Sequence, residues 1–248
     1  MEKEFLKKKV SLLVLCNVDP KGIIYNKRKN ISDRINDYEK SLPFWLNLNF
    51  FNNIIIVENS GYKGDLFKKY IDKSENKKKI ELIIYNGQKF NRKRGKGFGA
   101  YQQVRKVIKS SQNIKKSDYL VLVPGRYIVW NVKKIILKTK TSIMNDIIKN
   151  LTFATGHIAL YPKKFIIKYW LPFLSKTNDS LGISGEHQAA KAILRAISDG
   201  YTWQLPCEIP DTEAISGYSN TNYRRSFFYS LALKYYSILK KFIFEYQR

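Results

Sequence analysis

Strand-length apolar runs alternate with helical patterns along the first half of the chain, and this order constrains the fold more than any other feature. The runs are Val10–Val18, Asn52–Gly61, Ile80–Asn86 and Asp118–Val123. Continuous apolar character is typical of strands buried on both faces of a parallel sheet. We therefore predict an α/β fold, in which helices flank a mostly parallel, Rossmann-like sheet with right-handed crossovers.

The segments between these runs carry the helical signals that the crossovers require. Ile31–Asn49 places apolar residues at three- and four-residue spacings, and Ser32 or Asp33 can cap it. Asp65–Lys73 predicts a short helix, and Phe98–Ser111 predicts a helix that follows a glycine-rich turn.

The second half of the chain is less regular. Leu151–Phe165 predicts a pair of strands joined by a turn. Gly185–Asp199 predicts a helix with Ile193 and Ile197 facing inward, and Gly200 is suited to end it.

The last segment, Tyr223–Tyr246, predicts a basic helix that is apolar over most of its circumference. Such a helix suits an anionic bilayer surface, and it equally suits packing on the domain or on a second subunit of a homodimer. We divide the chain into one domain, residues 1–222, and a C-terminal helical extension, residues 223–248.

The chain is strongly basic, with 45 Lys and Arg against 20 Asp and Glu and a formal net charge of +25. Nucleic acid, an anionic membrane and a phosphorylated substrate would each suit this charge. Most of the basic residues are lysines, which also fits a lysine-rich composition on a solvated surface. Because no nucleic-acid-binding motif is present, we do not expect nucleic acid as a partner and keep a nucleic-acid-binding domain as a second hypothesis.

The two cysteines, Cys16 and Cys207, have no Cys or His neighbours at metal-ligand spacing, so no zinc site is predicted. The N-terminal segment lacks the apolar core of a signal peptide, and no apolar stretch is long enough to span a membrane. We therefore expect a cytoplasmic protein, either free or peripheral at the inner face of the plasma membrane.

Polar residues follow the predicted strands at their carboxyl ends, where sheets of this type bind ligands. Asn17 follows the first strand, and Glu58 and Asn59 end the second, where they could bind a base or a ribose. Glu58 could instead form a surface ion pair. Arg126 follows the fourth strand, where its guanidinium could bind a phosphate or bridge to a carboxylate of the fold.

A second phosphate-binding candidate lies in the segment NRKRGKGFGA, residues 91–100. Gly97 would let the backbone approach a ligand, and the following helix N-terminus would offer unpaired amides. Arg94 and Lys96 could then neutralise a diphosphate. The alternative is an exposed basic turn.

Glu186 lies at the start of the Gly185–Asp199 helix and is the candidate general base. Its alternative role is to cap that helix. His187 is a candidate for acceptor binding or support, and Asp211 and Glu213 are competing carboxylates in a later loop.

The order of these segments resembles bacterial glycosyltransferases that have a GT-A-like nucleotide-sugar-binding fold and act in capsule and lipopolysaccharide (O-antigen) biosynthesis. The segments that carry the resemblance are Arg34–Leu46, Ile54–Tyr62, Arg94–Val104, Gly125–Asn131 and Gly185–Ile193. The resemblance implies transfer of a sugar from a nucleotide-sugar donor to a lipid-linked or cell-surface glycan acceptor. It also implies that Glu186 is the general base.

The chain departs from this family at the end of the fourth strand, where Pro124–Tyr127 replaces the usual Asp-x-Asp metal-binding motif. We therefore expect neither a metal nor another cofactor, with cationic side chains in place of the ion. A sugar nucleotidyltransferase on the same kind of sheet is a further alternative, but it would require metal-binding acids that the sequence does not place near the phosphates.

Overall fold

The computed structural model of the chain describes residues 8–140, 142–148, 151–223 and Tyr235. Most of the predicted helix Tyr223–Tyr246 lies outside the described residues. The division of the chain after residue 222 therefore stays a prediction.

A seven-stranded sheet with the order β10-β6-β9-β4-β1-β2-β3 forms the centre of the fold. Its neighbouring strands are parallel except at β9, which runs antiparallel to both β4 and β6. The predicted α/β class with a mostly parallel sheet is therefore confirmed. The strands are β1 Val10–Cys16, β2 Asn53–Glu58, β3 Ile80–Ile84, β4 Tyr119–Pro124, β6 Ile143–Met144, β9 Ala159–Pro162 and β10 Trp203–Gln204.

Two short antiparallel ribbons accompany this sheet. One joins β5, Ile128–Val129, to β11, Thr212–Glu213, and the other joins β7, Ile147–Ile148, to β8, Phe153–Ala154.

Helices connect and cover the strands. They are α1 Ile31–Leu46, α2 Leu66–Lys73, α3 Gly95–Ser110, α4 Gln112–Lys115, α5 Val132–Leu137 and α7 Gly185–Ser198. Helix α6 is continuous and consists of Lys163–Phe165, a π-helical stretch Ile166–Trp170, and Leu171–Leu174.

The core lies on both faces of the sheet, as the apolar runs predict. Leu12 and Val14 of β1 pack in the cluster that includes Trp45 of α1, whereas Leu13 packs in the cluster that includes Val104 of α3 and Ile193 of α7. A strand that contributes to both clusters has no solvent-facing side, so its sequence shows no polar alternation.

Two details of the predicted first half are wrong. The N-cap of α1 is Asn30, whose Oδ1 accepts the Ser32 amide at 2.9 Å, and neither Ser32 nor Asp33 has this role. Helix α3 begins at Gly95, so the glycine-rich segment forms its first turn and does not precede it.

The second half contains two further corrections. The strands within Leu151–Phe165 do not pair with each other, because β8 pairs with β7 and β9 pairs with β4 and β6. Ile197 is 38% exposed, since the buried face of α7 consists mainly of alanines together with Ile193. The predicted stop at Gly200 is confirmed: its φ is +92°, and its amide donates to the Ile197 carbonyl at 3.0 Å.

Candidate functional site

The sheet changes winding direction between β1 and β4, and open α/β sheets bind ligands beyond the carboxyl ends of the strands at such a point. The chain proceeds from β1 to β2 and β3 on one side and adds β4 on the other. At the tip of β4, a Cβ on Gly125 would lie 2.5 Å from the Cys16 sulfur and 3.1 Å from the Leu15 carbonyl oxygen. Only glycine therefore allows the two strand ends to approach this closely.

Glu58 organises the loops at this edge. It is fully buried, and its carboxylate accepts the amides of Val18 at 3.1 Å, Ser60 at 2.9 Å and Tyr62 at 3.1 Å. The surface ion pair considered as an alternative does not form. Contact between Glu58 and a ribose stays a prediction, and it would require one of these bonds to give way.

Asn17 and Asn59 link the ends of β1 and β2. The Asn17 Nδ2 donates to the Asn59 Oδ1 at 2.7 Å, and the Asn59 Nδ2 lies 3.5 Å from the Gly99 carbonyl of α3. The Asn17 Oδ1 is buried without a hydrogen-bond partner among the described residues. One buried acceptor at the ends of these strands is therefore not hydrogen-bonded within the described residues.

Gln103 of α3 is a site-supporting residue that the sequence analysis missed. Its buried amide donates to the Cys16 carbonyl and to the Val57 carbonyl, the latter at 3.2 Å. It thereby fixes α3 against the ends of β1 and β2. A glutamine within a helical pattern gives no sequence signal for this role.

Arg126 is held by a carboxylate of the fold, the alternative that the sequence analysis left open. Its Nη1 donates to the Asp37 Oδ2 at 2.9 Å and to the Ile215 carbonyl at 3.3 Å, and its side chain is only 9% exposed. Asp37 also accepts two bonds from Arg28, at 3.1 and 2.9 Å. The predicted phosphate contact of Arg126 would therefore have to compete with Asp37.

A third arginine, Arg34, lies beside Arg28 and Arg126. Its guanidinium donates to the Asn17 carbonyl, at 2.8 Å from Nε, and to the Arg28 carbonyl at 3.2 Å. Burial and the positive charge of Arg126 both lower the pKa of Arg34. Arg28, Arg34 and Arg126 thus lie together near the ends of β1 and β4, and their described partners include Asp33, Asp37, Tyr38 and backbone carbonyls.

Helices α3 and α7 meet at their N-termini through two glycines. A Cβ on Gly97 would lie 2.8 Å from the Gly185 Cα, and a Cβ on Gly185 would lie 2.9 Å from the Gly97 Cα. Both helix starts carry partial positive charge from their amides. The close approach at Gly97 is therefore to the Gly185 backbone. The predicted approach of Gly97 to a ligand stays a prediction.

Lys96 and Glu186 lie at this junction. The Lys96 Nζ is 3.5 Å from the Glu186 Oε1, and the lysine remains about half exposed. The structure thus brings together the predicted phosphate-binding lysine and the predicted general base. The N-cap of α7 is Ser184, whose hydroxyl accepts the His187 amide at 3.2 Å, and Glu186 lies in the first turn of that helix. The phosphate-binding role of Lys96 and the general-base role of Glu186 stay predictions.

Asp179 joins this group, although it was not predicted. Its carboxylate accepts the backbone amide of Lys96, and a Cβ on Gly95 would collide with it. Burial and the neighbouring Glu186 raise the pKa of Asp179 to about 6, against the opposing effect of Lys96. The site therefore holds two carboxyl groups around one lysine.

Tyr127, just beyond Arg126, forms another side of the site. Burial, followed by the neighbouring Tyr223 and Glu186, raises the pKa of its phenol. Its ring contacts those of His157 and Tyr223, with centroids 5.8 and 5.7 Å away. This cluster of aromatic rings lies near enough to Glu186 for the glutamate charge to act on Tyr127.

Arg94 does not join the Lys96 group. Its Nε donates to the Thr177 carbonyl at 3.0 Å, its Nη2 donates to the Ser175 carbonyl, and its guanidinium stacks 3.4 Å from the centroid of Phe98. It fastens the start of α3 to the segment that follows α6. Its predicted phosphate contact stays a prediction.

The remaining predicted residues lie around this group. His187 has its Nδ1 3.0 Å from the Ser184 hydroxyl and lines a groove of about 310 Å³ together with Lys191. Asp211 and Glu213 belong to the β5–β11 region, where the Glu213 Oε2 accepts the indole N–H of Trp130 at 3.1 Å. Their predicted role as competing carboxylates stays a prediction.

Within the described ranges, no three His, Cys, Asp or Glu side chains come together as a metal site would require. Independence of metal stays a prediction. No helix in the described part of the chain is long and apolar enough to cross a membrane.

Comparisons with known proteins give distant structural likenesses only. No family model and no curated protein matches the chain. It is similar over 94% of its length to 4-diphosphocytidyl-2C-methyl-D-erythritol synthase from Anaerococcus prevotii DSM 20548, of which it covers 98% at a TM-score of 0.45 and 13% identity.

A nucleotide-diphospho-sugar transferase from Desulfovibrio desulfuricans G20 is matched over 80% of this chain and 79% of its own, at a TM-score of 0.44 and 11% identity. The PaToxG glycosyltransferase is matched over 79% of this chain and 74% of its own, at a TM-score of 0.40 and 17% identity. At such TM-scores and identities, these likenesses do not assign an activity to the chain.

Proposed function

We propose that the protein is a glycosyltransferase that moves a sugar from a nucleotide-sugar donor to a glycan acceptor without a metal held by an Asp-x-Asp motif. The observation that carries the proposal is the meeting of α3 and α7 at Gly97 and Gly185, with Lys96 and Glu186 paired at 3.5 Å. A lysine at a helix N-terminus suits a phosphate, and an adjacent carboxylate suits proton abstraction.

In the proposed reaction, a hydroxyl oxygen of the acceptor attacks the anomeric carbon of the donor. The bond from that carbon to the phosphate oxygen breaks, and the nucleotide of the donor leaves with the bonding electrons. Glu186 takes the proton of the attacking hydroxyl, which corresponds to inversion at the anomeric carbon. Lys96 and the first turn of α3 stabilise the charge that develops on the leaving phosphate.

The nucleoside would lie across the ends of β1 and β2, near Asn17 and Asn59. The position of both side chains at the carboxyl ends of β1 and β2, where sheets of this type bind ligands, supports this placement. Arg126 and Arg94 act in this proposal mainly as positioning residues, since the carboxylate and carbonyls that they bind already occupy them.

The proposed acceptor is a lipid-linked or cell-surface glycan, met at the cytoplasmic face of the plasma membrane. The net charge of +25 supports an anionic acceptor or an anionic surface. The capsule or lipopolysaccharide setting rests on the sequence resemblance alone.

Thermal unfolding in the presence of UDP-, GDP-, CMP- and dTDP-sugars tests the proposal, because a ligand of the native state raises the unfolding temperature. We expect one donor class to do so equally with Mn²⁺ and with EDTA. Stabilisation only with Mn²⁺ would refute metal independence. Stabilisation by CTP or UTP but by none of the sugar nucleotides would instead indicate a nucleotidyltransferase.

A further inference from the structure

Two exposed tyrosines lie next to each other, and one of them adjoins Lys96. Neither has a role in the function proposed above. Tyr25, in the loop after β1, is 55% exposed, and Tyr218, in the loop after β11, is 57% exposed. Their ring centroids are 6.4 Å apart, with 47° between the ring planes. Aromatic rings this exposed leave apolar area for a ligand to cover.

The loops that carry these rings are firmly held. The Lys27 amide donates to the Gly217 carbonyl at 2.8 Å, which joins the two loops. Arg126 donates to the Ile215 carbonyl at 3.3 Å, and the Ser216 hydroxyl accepts the Tyr218 amide at 3.2 Å. These hydrogen bonds therefore fix the backbone of the loops that carry the exposed rings.

The backbone conformation at Tyr25 supports a role for this residue in ligand binding. Its φ of +53° is uncommon for a residue with a side chain and is disfavoured by steric repulsion. A fold that keeps a bulky aromatic residue in this conformation, with its ring in solvent, gains no core packing from it. Strain of this kind is concentrated at binding and catalytic sites.

Charged groups adjoin the Tyr218 ring. The Lys96 Nζ lies 5.8 Å from the Tyr218 centroid and 3.5 Å from the Glu186 Oε1. An aromatic face next to a carboxylate and an ammonium group matches a pyranose, whose C–H face is apolar and whose hydroxyls donate and accept hydrogen bonds. A flat base would use the aromatic rings equally well but would not need a carboxylate that accepts from hydroxyls.

We propose that Tyr25 and Tyr218 form the subsite for the pyranose ring of the acceptor, and that they hold its attacking hydroxyl towards Glu186. This inference rests on the proposed function for the identity of the ligand as an acceptor. The carbohydrate-binding property itself can be measured without any donor.

Saturation-transfer difference NMR tests the subsite, with the methyl glycosides of glucose, galactose, mannose and N-acetylglucosamine as probes. Millimolar affinity is expected for such small ligands. We expect ring-proton signals from at least one glycoside with the wild-type protein. Because the stacked face buries roughly 50 Å² of apolar area on Tyr218, Tyr218→Ala should weaken binding about tenfold.

Tyr218→Phe is the matched control, since it keeps the ring, and its affinity should stay within about twofold of the wild type. Tyr25→Ala should weaken binding of the same glycoside. Thermal unfolding checks that each variant is folded. Equal signals from the wild type and Tyr218→Ala, or no glycoside signal from the wild type, would overturn the subsite.

The two proposals can fail separately. Loss of the glycoside signals together with a retained donor-dependent thermal shift would remove the subsite and leave the transferase. Glycoside binding that depends on Tyr218, without any response to a nucleotide or sugar nucleotide, would confirm a carbohydrate subsite and refute the proposed function.

Discussion

Replacement of Asp37 with asparagine should destabilise the protein more than a typical surface substitution, because it leaves arginines buried without their counter-charge. Asp37 is 9% exposed and accepts three charge-assisted bonds, two from Arg28 and one from Arg126, at 2.9 to 3.1 Å. At about 1.5–3 kcal/mol each, these bonds would sum to more than a single substitution usually costs.

The remaining contacts reduce that sum. Arg28 keeps its bond to Asp33 at 3.1 Å, and Arg126 keeps the Ile215 carbonyl at 3.3 Å. We therefore expect a loss of about 3–5 kcal/mol, the range measured when one partner of a buried ion pair is removed. This loss is a large part of the total stability of about 5–15 kcal/mol for an ordinary domain.

Urea denaturation at neutral pH measures this loss as a change in the free energy of unfolding at an unchanged m value. The control is Asp33→Asn, which removes a partner of the same Arg28 but from a side chain that is 46% exposed, and it should cost at most about 1 kcal/mol. Equal losses in the two variants, or a loss below about 1 kcal/mol for Asp37→Asn, would refute the account of a buried charge network.

Three further predictions concern the junction of α3 and α7. Gly97→Ala should cost about 1–3 kcal/mol in thermal unfolding, because its Cβ would press on the Gly185 backbone at 2.8 Å, whereas Gly156→Ala, with open space around it, should be nearly neutral. A Gly97→Ala variant as stable as the wild type would show that the helices can separate. The folded-state pKa of Asp179, about 6, lies above its ordinary value of about 3.9, so the folded state binds a proton more tightly and stability should fall as pH rises between those values. Discounted for the partial solvent exposure of this group, the free energy of unfolding should fall by about 1 kcal/mol over this range. Urea unfolding at a series of pH values measures this fall, and Asp179→Asn should abolish it. The same dependence of stability on pH in both proteins would contradict the assignment. Glu186→Gln should slow sugar transfer by about 10²–10⁴-fold while keeping the donor-dependent thermal shift, and undiminished turnover would exclude Glu186 as the base.

The strands and their crossovers were predictable from sequence because an uninterrupted apolar run directly indicates a strand that is buried on both faces. Leu12 and Leu13 are adjacent in β1, yet they belong to different core clusters, so the uninterrupted run follows directly from two-sided burial. The predicted α/β class needed no information about distant contacts.

The polar contacts of the site could not be predicted from local sequence patterns. Whether Arg126 binds a ligand or a carboxylate depends on Asp37, 89 positions away along the chain. Asp179 meets Lys96 only because the segment after α6 returns to the start of α3. Such pairings are set by tertiary packing, and no local periodicity encodes them.

The reversed strand β9 determines which end of helix α6 faces the carboxyl edge of the parallel strands. Pro162, the last residue of β9, pairs with Tyr119, the first residue of β4, so β9 ends at the amino edge of the parallel strands. Helix α6 must then run back across the sheet, and the carbonyls of Ser175 and Thr177 that follow it arrive beside the site with their partial negative charge. Arg94 binds both of these carbonyls, and thereby offsets the negative partial charge of a helix end that would otherwise disfavour the proposed anionic donor.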